Sequence, residues 1–157
     1  MKRILLALAV FANGATLAAD TEREIVATDK DVVVTDTDME VVDAWVRDAP
    51  PGSPMLAAYL TLHNRGTQDR VLVEVRSRAF PHVMLHSSEI VDGVARMHQL
   101  DKLVIPAHAT VTLEPGGMHL MMPAPEPPLS VGDEVEFELL FGDGSKLAVR
   151  AEVRKKP

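Results

Sequence analysis

The chain has 157 residues, 16 of them basic and 23 acidic for a formal net charge of −7, and it contains no cysteine. An acidic balance without a basic cluster repels phosphate backbones, which argues against nucleic acid as a partner. The missing thiol excludes disulfide staples, zinc ribbons, thioredoxin-like redox pairs and blue-copper centres. In chain order, Met1-Lys2-Arg3, an apolar run over residues 4–11 and small residues up to Ala18-Ala19 read as a secretory signal peptide. The run is too short for a bilayer span, which takes about 20 residues. Residues 1–19 are therefore expected to be removed, leaving a periplasmic product with no membrane span and 14 basic against 23 acidic residues. Residues 20–31 are polar and charged and read as a disordered lead-in. Residues 32–157 read as a single domain.

That domain is expected to be all-β. No stretch of about twelve residues sustains helical periodicity with caps, whereas short alternating or β-branched runs recur. They fall at 32–35, 40–47, 56–62, 70–76, 82–89, 94–99, 109–113, 118–122, 134–141 and 147–153. Turn chemistries separate them, among them Asn64-Arg65-Gly66, Asp92-Gly93, Pro115-Gly116-Gly117 and Gly142-Asp143-Gly144. Many short strands with a turn every ten residues or so indicate a β-sandwich or barrel. In 134–141 and 147–153, Val135, Phe137 and Leu139, and then Leu147, Val149, Ala151 and Val153, alternate with mostly charged residues. These two strands read as a C-terminal hairpin with one face in the core.

The chemistry gathers in two other places. Asp92-Gly93 is a favoured two-residue hairpin loop, and it pairs Val91 with Val94, Glu89 with Arg96 and Ser88 with Met97. Residues two apart on a strand share a face, so His82, Met84, His86 and Ser88 lie on the face of Met97. His86 and Met97 become diagonal neighbours, about 7–8 Å apart at Cα. Glu89 and Arg96 make a solvent-side pair on the reverse face. The second place is Met118-His119-Leu120-Met121-Met122, where His119 and Met121 point the same way and Met118, Leu120 and Met122 form an apolar reverse face.

Taken singly, a methionine on a strand is an adaptable core filler and a histidine an ordinary surface group. Together, two His–Met pairs in a cysteine-free exported chain offer two imidazoles and two thioethers. Thioether is a soft, neutral ligand that selects Cu(I), whereas Zn(II) prefers Cys, His or carboxylate. One Cu(I) per chain, held by His86, Met97, His119 and Met121, is the expected cargo. His82 and Met84 share the face and stand as outer or alternative ligands. His63 and His108 lie beside turns and His98 points away from Met97, so all three read as surface residues.

The spacing His86, ten residues, Met97, twenty-one residues, His119, one residue, Met121 resembles the H-x10-M-x21-H-x-M signature of the periplasmic copper chaperones called PCuAC. Further strings are similar to that family: Asp43-Ala44-Trp45-Val46-Arg47 leading to Pro50-Pro51-Gly52, Ala58-Tyr59-Leu60-Thr61-Leu62 with Asn64, Gly66 and Asp69-Arg70, Ile105-Pro106-Ala107, and Leu113-Glu114-Pro115-Gly116-Gly117. The resemblance covers roughly residues 40–150. It implies a cupredoxin-like β-barrel without the cupredoxin cysteine. It also implies Cu(I) delivery toward the CuA centre of cytochrome c oxidase, to an oxidase subunit or a thiol-based assembly factor, and a monomer is expected. Two departures follow. Ser88 stands where members often carry a methionine, and Arg154-Lys155-Lys156-Pro157 is no His/Met-rich tail, so a second, tail-based site is not expected.

Two other readings use the same residues. A metal-free exported interaction module would pack them or display them, and a copper storage or detoxification protein would keep the ligand set. An enzyme is not expected, since the chain has no Gly-x-Ser-x-Gly elbow, no His-Glu-x-x-His and no cysteine nucleophile.

Overall fold

The structure, a computed structural model, describes residues 38–50 and 52–155. The expected signal peptide (1–19), the expected lead-in (20–31) and the strand expected at 32–35 all lie outside the described residues. Ten strands and no helix make up the described residues: β1 (Met39–Arg47), β2 (Met55–Asn64), β3 (Arg70–Arg76), β4 (Met84–Val91), β5 (Val94–Leu100), β6 (Leu103–Ile105), β7 (Thr110–Leu113), β8 (Met118–Pro123), β9 (Glu134–Phe141) and β10 (Lys146–Arg154). With no helix, none is long and apolar enough to cross a membrane.

The strands run in the order β5-β4-β8-β2-β1-β10-β9-β3-β6, with β7 also paired to β2. All neighbours are antiparallel except β1 and β10. Strand β2 gives its first half to β8, through Met55–Ala58, and its second half to β7, from Leu60 to His63. The sheet curls into a nearly closed barrel, within the sandwich-or-barrel class that the strand pattern anticipates and in line with the cupredoxin-like barrel that the family resemblance implies.

Alternation drives the fold. Val135, Phe137 and Leu139 point inward from β9, and Leu147, Val149, Ala151 and Val153 from β10. They meet Val46, Leu60, Leu62, Leu120 and Met122 in one continuous core. Each large side chain withdrawn from water there contributes about 1.5–3 kcal/mol. Strand β6 is absent from the sequence reading because three residues are too few to display a period. It is seen only in its pairing with β3, with Leu103 and Ile105 buried on either side of exposed Val104.

A bulge in β1 matters for the site. Val42 pairs with Thr61 and Trp45 with Tyr59, so three steps on β1 match two on β2. The extra residue is absorbed at Asp43, whose φ is +49° and whose carboxylate accepts a hydrogen bond from Arg154 Nη1 at 2.8 Å. The bulge keeps Trp45 on the outer face of the barrel beside Tyr59 while Val46 turns into the core.

Candidate metal centre

Local turn chemistry sets the first half of the site. Asp92 and Gly93 both have positive φ, +53° and +77°, the requirement of a primed two-residue turn. The turn fixes the register of β4 on β5, with Val91 opposite Val94, Glu89 opposite Arg96 and Ser88 opposite Met97. His86 and Met97 are therefore diagonal neighbours on one face, and His86 Nδ1 lies 3.1 Å from Met97 Sδ. Met97 is 50% exposed, on an end strand of the sheet path. The reverse face differs in detail from the sequence expectation. Glu89 still stands opposite Arg96, but its carboxylate contacts His98 Nε2, on the diagonal, at 3.1 Å.

Strand β8 lies along the other edge of β4. Its register places His119 opposite His86 and Met121 opposite Met84. The two imidazoles meet edge to face, with centroids 5.8 Å apart. His119 Nδ1 lies 3.2 Å from the Gly117 carbonyl, which can only accept. A hydrogen bond to that carbonyl is donated by Nδ1–H, the tautomer in which Nε2 is the nitrogen able to ligate. On the reverse face of β8, Leu120 and Met122 are fully buried in the core and Met118 packs against it.

His119 is buried although it is polar and faces out of the barrel. Its cover is aromatic: Tyr59 lies 6.5 Å from it, ring to ring, and Trp45 lies 4.6 Å beyond on Tyr59. A row of rings, Trp45, Tyr59, His119 and His86, thus crosses four adjacent strands. The sequence reading did not assign Trp45 or Tyr59 to the site. Their alternation with core residues was visible, but the row depends on the β1 bulge and on the pairing of β2 with β8.

The expected donors therefore share one face in an uneven arrangement. His86 touches Met97 and adjoins His119, whereas Met121 is two residues along β8 from His119, across from Met84. Met97 and Met121 lie on opposite diagonals of the imidazole pair. Among the described residues, no three His, Cys, Asp or Glu side chains gather as a metal cluster. The donors here are two imidazoles joined by thioethers. Burial, and then the neighbouring His119, hold His86 below the ordinary imidazole range, which favours the neutral form that has a lone pair to give.

The remaining histidines stand apart. His63 Nδ1 is 2.7 Å from Thr110 Oγ1, His108 occupies a turn at φ +56°, and His82 is exposed just before β4.

Known proteins share this architecture. A family model described as "Putative lipoprotein LpqE-like" matches residues 39–153. The protein Lxx21020 of Leifsonia xyli subsp. xyli is 34% identical over 112 residues, covering 71% of this chain and 66% of the relative. RP573 of Rickettsia prowazekii is 29% identical over 98 residues, covering 62% and 54%. The chain thus spans just under two thirds of one curated relative and about half of the other. Among solved structures, apo-DR1885 of Deinococcus radiodurans superposes with a TM-score of 0.63 at 33% identity, over 91% of this chain and 97% of that one. The Cu(I) form of DR1885 gives 0.58 at 37% identity, over 72% and 76%. The copper-bound PCuAC domain from PmoF2 gives 0.63 at 22% identity, over 76% and 94%, a likeness of fold.

Proposed function

The chain belongs to the LpqE-like family and has the fold of the PCuAC domains, and from that premise we propose that it is a periplasmic Cu(I) chaperone. The observation that carries the reading is the convergence of His86 Nδ1 and Met97 Sδ to 3.1 Å beside the His119 ring, on one outer face of the barrel. The 37% identity to a protein solved with Cu(I) supports the choice of ion. His86 and His119 form the centre of the site, and Met97 and Met121 approach it from the two diagonals. Imidazole gives affinity and thioether gives softness, with no negative charge to favour a hard cation. Thioether ligands bind without losing a proton, so only the imidazoles couple the cargo to pH.

Release follows from position. Met97 is the exposed donor on the end strand β5, so an incoming ligand can replace it while the His pair still holds the ion. The acceptor is a copper-receiving protein, either the CuA subunit of cytochrome c oxidase or a thiol-based assembly factor. The apolar segment after Lys2-Arg3, together with the lipoprotein description of the family, supports export.

Competition for Cu(I) against a chromophoric chelator under reducing conditions tests the assignment. One ion per chain is expected. Met97→Leu should weaken binding about tenfold and His119→Ala about a hundredfold, judged by the cost of disturbing metal shells. His108→Ala, in a distant turn, should change nothing. Unchanged affinity in the first two variants would defeat the ligand assignment, and no binding by the parent would leave a metal-free export module.

A further inference from the structure

We propose that Met84 is an additional thioether ligand, completing a compact Cu(I) site with His86, His119 and Met121 that Met97 serves from outside. The inference rests on the copper reading above and sharpens it. Its basis is the register of β4 on β8, which stacks two facing pairs in succession: His86 opposite His119, and Met84 opposite Met121. These four residues occupy the corners of one block on adjacent strands, all on the outer face. The intervening pair, Leu85 opposite Leu120, faces the core, where Leu120 is fully buried and Leu85 packs against it.

Strand geometry weighs Met84 against Met97. Neighbouring strands lie about 4.8 Å apart, and side chains on one face repeat about every 7 Å along a strand. Directly opposed residues have Cβ atoms about 4.5–5.5 Å apart, the separation expected for Met84 and Met121. Met97 is opposite Ser88, four residues along β4 from Met84, and one strand further from Met121. Two strand spacings and four residues of offset thus separate Met97 from Met121, whereas a single strand spacing separates Met84 from it. Met121 therefore has a closer thioether partner in Met84 than in Met97. Met84 is half buried, neither lost in the core nor fully hydrated.

Two overlapping donor sets then share the imidazole pair. The inner set, with Met84 and Met121, holds the ion against the barrel wall. The outer donor Met97 takes it toward the edge strand, where an acceptor can reach it. Transfer between the sets exchanges one neutral thioether for another, with no proton or electron moved.

The test compares Met84→Leu, Met121→Leu and the double variant with the parent, by Cu(I) competition under reducing conditions and by Cu K-edge X-ray absorption. Leucine preserves volume and is tolerated in such positions, and the thermal unfolding of each apo protein checks that the barrel is intact. Met84→Leu should weaken Cu(I) binding about tenfold, the double variant should bind more weakly than Met121→Leu alone, and the sulfur contribution at the copper edge should shrink. If Met84→Leu matches the parent and adds nothing in the Met121→Leu background, Met84 is not a ligand and the four-residue reading stands without it. If the parent itself binds no Cu(I), the copper reading fails and this inference with it.

Discussion

The two ends of the sheet obey different rules. Around β9 and β10 the inward residues are Val, Phe, Leu and Ala, and most outward residues are charged and hydrated. Around β4 and β8 the inward residues Leu85, Leu120 and Met122 are still apolar, although the β4–β5 hairpin beyond them turns Ser87, Glu89, Arg96 and His98 to that side, and the outward face carries His86, His119, Met84, Met97 and Met121, with His119 buried beneath rings. One end devotes a single face to stability. At the other, the second face holds soft donors in a half-dry setting, built where stability does not require them. The lesson is that in a barrel of this kind the outward-facing residues that are nevertheless buried are the ones to question.

Three perturbations probe that division. The largest effect is expected at the scaffold end, where Phe137 is fully buried and packs on Phe80 with centroids 6.1 Å apart. Phe137→Ala should cost about 3–5 kcal/mol in denaturant unfolding, while the folded fraction keeps the Cu(I) affinity of the parent. A comparable loss of affinity would mean that the two ends are coupled. A smaller effect is expected at the hairpin. Gly93 has φ +77° and open space where the methyl of an alanine would stand, so the cost of Gly93→Ala is backbone strain alone. About 1–2 kcal/mol should be lost, and Cu(I) binding should weaken because the turn sets Met97 against His86. Strain without weaker binding would show that the register is held elsewhere.

The smallest effect concerns pH. The folded chain resists protonation of His86 because of burial and then the nearby His119. In the unfolded chain the same imidazole takes its proton near pH 6.5. Below that value the unfolded state binds more protons than the folded one, so this contribution to apo stability is present above about pH 6.5 and is lost as pH falls through the folded pKa. His86→Gln should flatten the acid limb of a stability profile slightly, and an unchanged limb would show that His86 is not the group responsible.

Much of this arrangement is readable from the chain, for local reasons. Asp92-Gly93 dictates a two-residue turn, and the turn alone fixes Ser88 opposite Met97 and brings Met97 to His86. The alternation in β9 and β10 likewise fixes which side is dry. The pairing of β4 with β8 is a contact between segments some thirty residues apart, and no local signal specifies it. For that reason the sequence shows His119 and Met121 on a common face but not the block that Met84 closes with them. The aromatic row was hidden for the same reason, since it needs the β1 bulge and the β2–β8 register together. Strand β6 was too short to have a period.

Met121 and Met122 are neighbours in sequence, one half-buried on the outer face and the other sealed in the core. Methyl NMR of the apo protein, with 13C at the methionine ε-methyls, separates them as Cu(I) is added under reducing conditions. The Met97 and Met121 methyls should shift together and saturate at one equivalent, while those of Met122 and Met39 stay in place. Shifts at Met122 equal to those at Met121, or none at Met97 and Met121 up to one equivalent, would contradict a soft-ion site on the outer face of β4, β5 and β8.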